Sequence, residues 1–181
     1  MPKYYIIPID QDGFAYLGRK SMVNPYNNGP AGWGQGAPNV FGGNEQGGID
    51  QTLCMETREE SRCKVDLNQL NLGRKVQLHQ AAAPNGVMMT FYAIRGNFVY
   101  DPQPFFPDFL LQMPKYRECT GDVLRIALGT MDYANPAAAV LGAYVAQFGV
   151  PNANVRMNDF YGSAAMEALS YAAFEVQWGR I

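Results

Sequence analysis

Phe41-Gly42-Gly43-Asn44-Glu45-Gln46-Gly47-Gly48 runs into Ile49-Asp50-Gln51-Thr52-Leu53-Cys54-Met55-Glu56-Thr57-Arg58-Glu59-Glu60-Ser61. Four glycines in eight positions mark the first half as a turn-forming loop. The second half has few helix breakers and many straight-chain residues, so a helix is expected from Gln51 to Lys64 with Asp50 as its N-cap. Helical positions i, i+3 and i+4 fall within about 100° of arc. Glu56, Glu59 and Glu60 therefore project from one face. Neighbouring carboxylates repel, each i,i+4 pair costing a few tenths of a kcal/mol. Two arrangements relieve that cost. A hard divalent cation can bind the three acids, or Arg62 and Lys64 can pair with Glu59 and Glu60 on a solvated helix face.

Working outward, Tyr4 to Ile9 reads as a strand, and Asp10-Gln11-Asp12-Gly13 as a tight turn. Phe14 to Arg19 returns as a second strand. Pro8 argues against a central place in the sheet for that part of the first strand. Residues 21–38 are rich in Asn, Pro and Gly, which predicts a long loop with Trp33 inside it. Arg74 to Ala82 and Val87 to Arg95 flank Pro84-Asn85-Gly86, giving a second hairpin. Residues 100–117 carry four prolines and read as irregular, with one short helical turn near Phe109. A short strand at Val123 to Leu128 precedes a helix at Pro136 to Phe148 and a last helix from Asn158 or Ser163 to Val176. Strands and helices mix without regular alternation, which selects α+β over a doubly wound sheet.

The chain has 181 residues, a length that suits one domain spanning 1–181. Charged residues are 17%, below the usual quarter, and net charge is −2, so neither a nucleic-acid backbone nor an anionic membrane is favoured as partner. Cys54, Cys63 and Cys119 are odd in number and lack paired spacing, which argues against a disulfide framework. Cys54 and Cys63 are expected on one helix. With His79 the only histidine, a structural zinc site is disfavoured. Residues 4–9 are too short for a signal-peptide core, and no apolar run reaches membrane-spanning length. A cytoplasmic location is the expectation. Ala-rich terminal helices are compatible with a homo-oligomer.

Gly42-Gly43, the Glu45-Gln46-Gly47 turn and the Glu-x-x-Glu-Glu of Glu56, Glu59 and Glu60 together resemble the Nudix box. In that family a Pro-Gly-Gly loop and a Glu-x-Gly-Glu turn lead into a helix with Arg-Glu-hydrophobic-x-Glu-Glu-x-Gly. Residues 41–65 carry the motif, and the flanking hairpin, strands and closing helix agree with the family. The resemblance implies a Nudix-like α/β/α sandwich with a mixed sheet. It also implies Mg²⁺ (or Mn²⁺) held by Glu56, Glu59 and Glu60, and hydrolysis of a nucleoside diphosphate linked to another moiety. The chain departs from the pattern at four positions. Met55 stands for the arginine, Thr57 for the hydrophobic residue, Arg62 for the final glycine and Gly48 for the acid closing the turn. The loop-to-helix spacing is also about two residues short. These departures keep open an alternative, a Nudix-fold module that binds a nucleotide or protein without hydrolysis. A low-charge, Asn/Gln/Tyr/Gly-rich surface also suits an interaction protein.

Glu59 and Glu60 are the catalytic candidates on the helix. Glu118, in a loop before a strand where some Nudix enzymes place a general base, is a third, set against the plainer reading of a loop acid. Trp33, Phe41 and Tyr92 are candidate stacking residues for a nucleotide-like ligand, with core or loop-anchoring roles as the competing reading. Gly42 and Gly43 would line the substrate. His79 reads as a half-buried strand residue and Cys63 as no nucleophile.

Overall fold

A computed structural model describes all 181 residues. Two hairpins and three further strands build a seven-stranded sheet. β1 (Lys3–Ile9) and β2 (Phe14–Arg19) form the first hairpin; Asp10 closes it by accepting the Phe14 amide at 2.9 Å. β3 (Pro38–Asn39) and β4 (Phe41–Asn44) follow, then α1 (Ile49–Glu60). A short β5 (Val65–Asp66) leads to the second hairpin, β6 (Val76–Ala82) and β7 (Met88–Arg95). β8 (Val99–Tyr100) pairs with β5 in a separate ribbon. Two 3₁₀ turns, Asp108–Gln112 and Pro114–Arg117, precede β9 (Leu124–Ala127). α2 (Ala137–Phe148), α3 (Met157–Tyr161) and α4 (Ala164–Gln177) complete the chain.

The sheet is mixed. β1 runs parallel to β7, and the remaining pairs, β1 with β2 and β4, β2 with β3 and β9, and β6 with β7, are antiparallel. Side chains of a strand alternate between faces, and the sequence uses that period to build two cores. Ile7, Ile9, Ala15, Leu17, Phe91 and Ala93 bury against α2, α3 and α4. Ile6, Tyr16, Phe41 and Ile94 bury on the other face with Leu53 of α1. The result is an α/β/α sandwich, as expected.

Several local expectations change. β1 is central in the sheet although it contains Pro8. On the edge away from β7, β4 is registered with residues 3–6 and β2 with Ile9, so Pro8 sits in the interruption between them. A residue without an N–H is tolerated there. α1 starts two residues early, with Gly48 rather than Asp50 at its N-cap, and stops at Glu60. Arg62 and Cys63 both adopt positive φ (51° and 66°) and turn the chain away, so Cys63 does not share a helix with Cys54. The last helix is two, parted at Gly162, with Ser163 capping α4 through the Met166 amide. No helix is long and apolar enough to cross a membrane.

Candidate functional site

β4 lies against β1 with Tyr5 opposite Gly42 and Tyr4 opposite Gly43. A Cβ at Gly42, whose φ is 151°, would stand 2.6 Å from the Tyr5 Cα, so only glycine fits. A Cβ at Gly43 would lie 2.8 Å from Glu56 Oε1. The double glycine thus serves close approach: one glycine lets two strands touch, the next leaves room for a helix carboxylate.

Glu56, Glu59 and Glu60 of α1 all line one cavity of about 880 Å³, and Glu118, from the loop before β9, joins them there. Lys20 and Lys115 enter the same cavity. The solvated-face alternative fails on burial: Glu59 is 7% exposed and Glu60 3%. Its ion pairs are absent too. Arg62 donates instead to the carbonyls of Tyr116 and Cys119, both at 3.2 Å.

Each acid has its own surroundings. Glu60 Oε2 accepts the Gly42 amide at 2.9 Å, and Oε1 accepts Asn39 Nδ2 at 2.9 Å with the Cys119 thiol at 3.5 Å. Burial pushes Glu60 up to about 8, against the pull of Lys20, with the Glu56 and Glu118 charges adding to the rise. Glu56 accepts Gln46 Nε2 at 2.9 Å. Burial, then the charges of Glu59 and Glu118, lift it to about 7. Glu59 is ion-paired with Lys115, and Glu118 accepts the Tyr26 hydroxyl. Lys20 forms no ion pair, and its ammonium is raised because the Cys119, Glu60, Glu118 and Glu56 charges outweigh the burial that opposes them. Four carboxyl groups thus share the cavity with Lys3, Lys20 and Lys115.

Hard oxygen donors suit a divalent cation. The donor chemistry fits such an ion, but the acids are not drawn into a ready cage: no three acidic, histidine or cysteine side chains stand together in metal-holding geometry. Glu59 leans to Lys115, and Glu60 spends both oxygens on Gly42, Asn39 and Cys119.

The far wall is aromatic and apolar. Tyr5 and Phe91 stack at 4.9 Å and 14°, beside Met89, Ala81 and Pro84. Trp33 stands at the mouth, 60% exposed. Two sequence candidates move. Phe41 is fully buried in the core beneath α1 and cannot touch a ligand. Tyr92 packs toward that same core, under the Lys75 ammonium at 5.4 Å, and does not line the cavity. Strand alternation explains the difference: Phe91, one residue away, faces the cavity in its place. His79 is half-buried against Glu167, as expected.

Lys20, Asn39, Lys115 and Cys119 do not stand out in the sequence. Asn39 sits two residues before Phe41 and the glycine pair, the only local cue. Lys115 and Cys119 reach α1 across more than fifty residues and leave no sequence signal. Arg62 delivers them. It adopts a left-handed conformation, at a cost of about 1 kcal/mol. Its stem rests on Gly121, where a Cβ would lie 2.5 Å from Arg62 Cδ.

No protein-family model matches the chain, and no curated protein matches it. Solved structures do match. Among them are Nudix hydrolases. The chain is similar to the Nudix hydrolase RenU from M. smegmatis at 10% identity and a TM-score of 0.45, covering 99% of this chain and 87% of that one. A MutT protein from Methanosarcina mazei Go1 matches at 11% identity and 0.44, over 98% and 95%. A Nudix hydrolase from Nitrosomonas europaea matches at 17% identity and 0.42, over 90% and 100%.

Proposed function

We propose that this chain is a Nudix-type hydrolase that cleaves the pyrophosphate linkage of a nucleoside diphosphate joined to another moiety. One observation carries the reading: four carboxylates, three from α1 and one from a distant loop, line a single cavity that also has an aromatic wall. Glu56, Glu59 and Glu60 would hold Mg²⁺ or Mn²⁺, which supplies phosphate charge neutralisation and a more acidic water. The protein's own groups do the rest. Trp33 at the mouth and the Tyr5–Phe91 stack offer flat surfaces to a base. Lys20, unpaired among the acids, offers its ammonium to a phosphate. Glu118, which lines the same cavity, would take a proton from water. Lys115 is ion-paired with Glu59 and would have to release it for a metal ion held there.

The test screens wild type and the double variant Glu59→Gln/Glu60→Gln against nucleoside-diphosphate compounds with Mg²⁺ or Mn²⁺. Phosphate-containing products from wild type and at least about a hundredfold less from the variant are expected. Equal rates would sink the proposal. Nucleotide-dependent thermal stabilisation without turnover would point to the non-hydrolytic module.

A further inference from the structure

A second cavity, of about 400 Å³, lies on the other side of the strap formed by residues 20–26 and 115–120. Arg62, Arg117, Ser21, Thr120, Met22 and Val23 line it, and no carboxylate does. Neighbouring residues of the strap face opposite ways: Lys20 and Glu118 enter the acidic cavity, while Ser21 and Arg117 enter this one.

Neither arginine has an ionic partner. Arg62 donates to two carbonyls, and Arg117 Nη2 to the Pro25 carbonyl at 3.3 Å. Arg117 Nε is shielded from solvent and bonds to nothing. Asp122, whose charge reaches Arg62, is itself taken by Arg19 at 3.2 Å and Thr120 at 2.9 Å. Two guanidiniums line this groove with no carboxylate between them to neutralise their charge. A tetrahedral oxyanion suits such a pair, because planar N–H forks match its oxygens.

We propose that this cavity binds a phosphate-type oxyanion, free or as a phosphate monoester, through Arg62 and Arg117, and that binding stiffens the strap carrying Lys20 and Glu118. The link is short. The Ser21 amide donates to the Glu118 carbonyl at 3.1 Å, Ser21 Oγ donates to the Arg117 carbonyl at 2.5 Å, and Lys20 bridges to Cys119. Met22 and Val23 give a monoester an apolar contact beside the charged wall.

Binding is tested in metal-free buffer with chelator at constant ionic strength, by calorimetric titration of inorganic phosphate and of glycerol 3-phosphate. This needs no turnover, so its outcome is independent of the hydrolase proposal. Wild type is expected to bind saturably. Arg117→Gln should weaken binding at least about tenfold. Val23→Trp, at a half-exposed position, fills the cavity with both charges intact and should weaken it similarly. Arg74→Gln, which removes an exposed cation outside both cavities, should leave binding within about twofold. A tighter monoester identifies an organic phosphate as the preferred form, and equal affinity identifies phosphate itself. Absence of saturable binding, binding indifferent to both Arg117→Gln and Val23→Trp, or loss in Arg74→Gln would overturn the assignment.

Discussion

Glu60→Gln separates the charge of the buried acid from its hydrogen bonds, and pH reads the difference. Glu60 rises from 4.5 to about 8 on folding, chiefly through burial. A carboxyl whose folded pKa is raised favours the native state in its protonated form. Its stabilisation is intact at and below pH 4.5 and is lost as pH climbs through the window to about 8. Between pH 5 and 9 the loss is about 4 kcal/mol, because each pH unit inside that window removes roughly 1.4 kcal/mol. Glutamine cannot ionise, so the variant lacks this slope. It turns one N–H toward the Gly42 and Asn39 donors, however, and leaves a buried donor unmatched at about 1–3 kcal/mol. The variant should be the less stable protein at pH 5. The gap should close as pH rises, with the order reversing by pH 9. Urea denaturation at pH 5, 7 and 9 without divalent ions measures this. A constant difference across that range would refute the argument that Glu60 is buried at the expense of its charge.

Two further outcomes follow from the same geometry. Gly42→Ala, which drives a Cβ into the Tyr5 backbone, should cost more than about 3 kcal/mol in urea denaturation, while Gly43→Ala, which meets only the movable end of Glu56, should fold with a loss of about 1 kcal/mol. Lys115→Met strips Glu59 of its cation, at about 1–3 kcal/mol without metal; Mg²⁺ should then raise its Tm more than that of wild type, and an equal or smaller rise would show that Lys115 does not compete with a metal ion.

The layers are legible in the sequence because they rest on local patterns. Runs of apolar, aromatic and β-branched residues in Tyr4–Ile9, Phe14–Arg19 and Val87–Arg95 mark the strands, and Glu-x-x-Glu-Glu marks an acid-bearing helix. Residue faces are less legible. Tyr92 reads as a ligand contact although Phe91 holds that place, since period-two reasoning assigns two faces without saying which one is open. Phe41 misleads for a related cause: a ring beside a glycine pair reads as loop-exposed until β4 is known to lie on β1. The fate of Arg62 is invisible. Its spacing from Glu59 promises a helical ion pair, but the left-handed turn at Arg62 and Cys63 ends α1 first and sends the guanidinium to the Tyr116 and Cys119 carbonyls.

The polar anchoring of the 116–119 segment, by Arg62 and by Ser21, makes the acid cluster an assembly of unlike parts. Three members are fixed by a helix that packs into a core; the fourth arrives on a loop held by polar contacts. A fluctuation that frees the loop would dismantle the cluster while both hydrophobic layers stay shut, so competence for chemistry and resistance to denaturation can be tuned independently of one another in this chain.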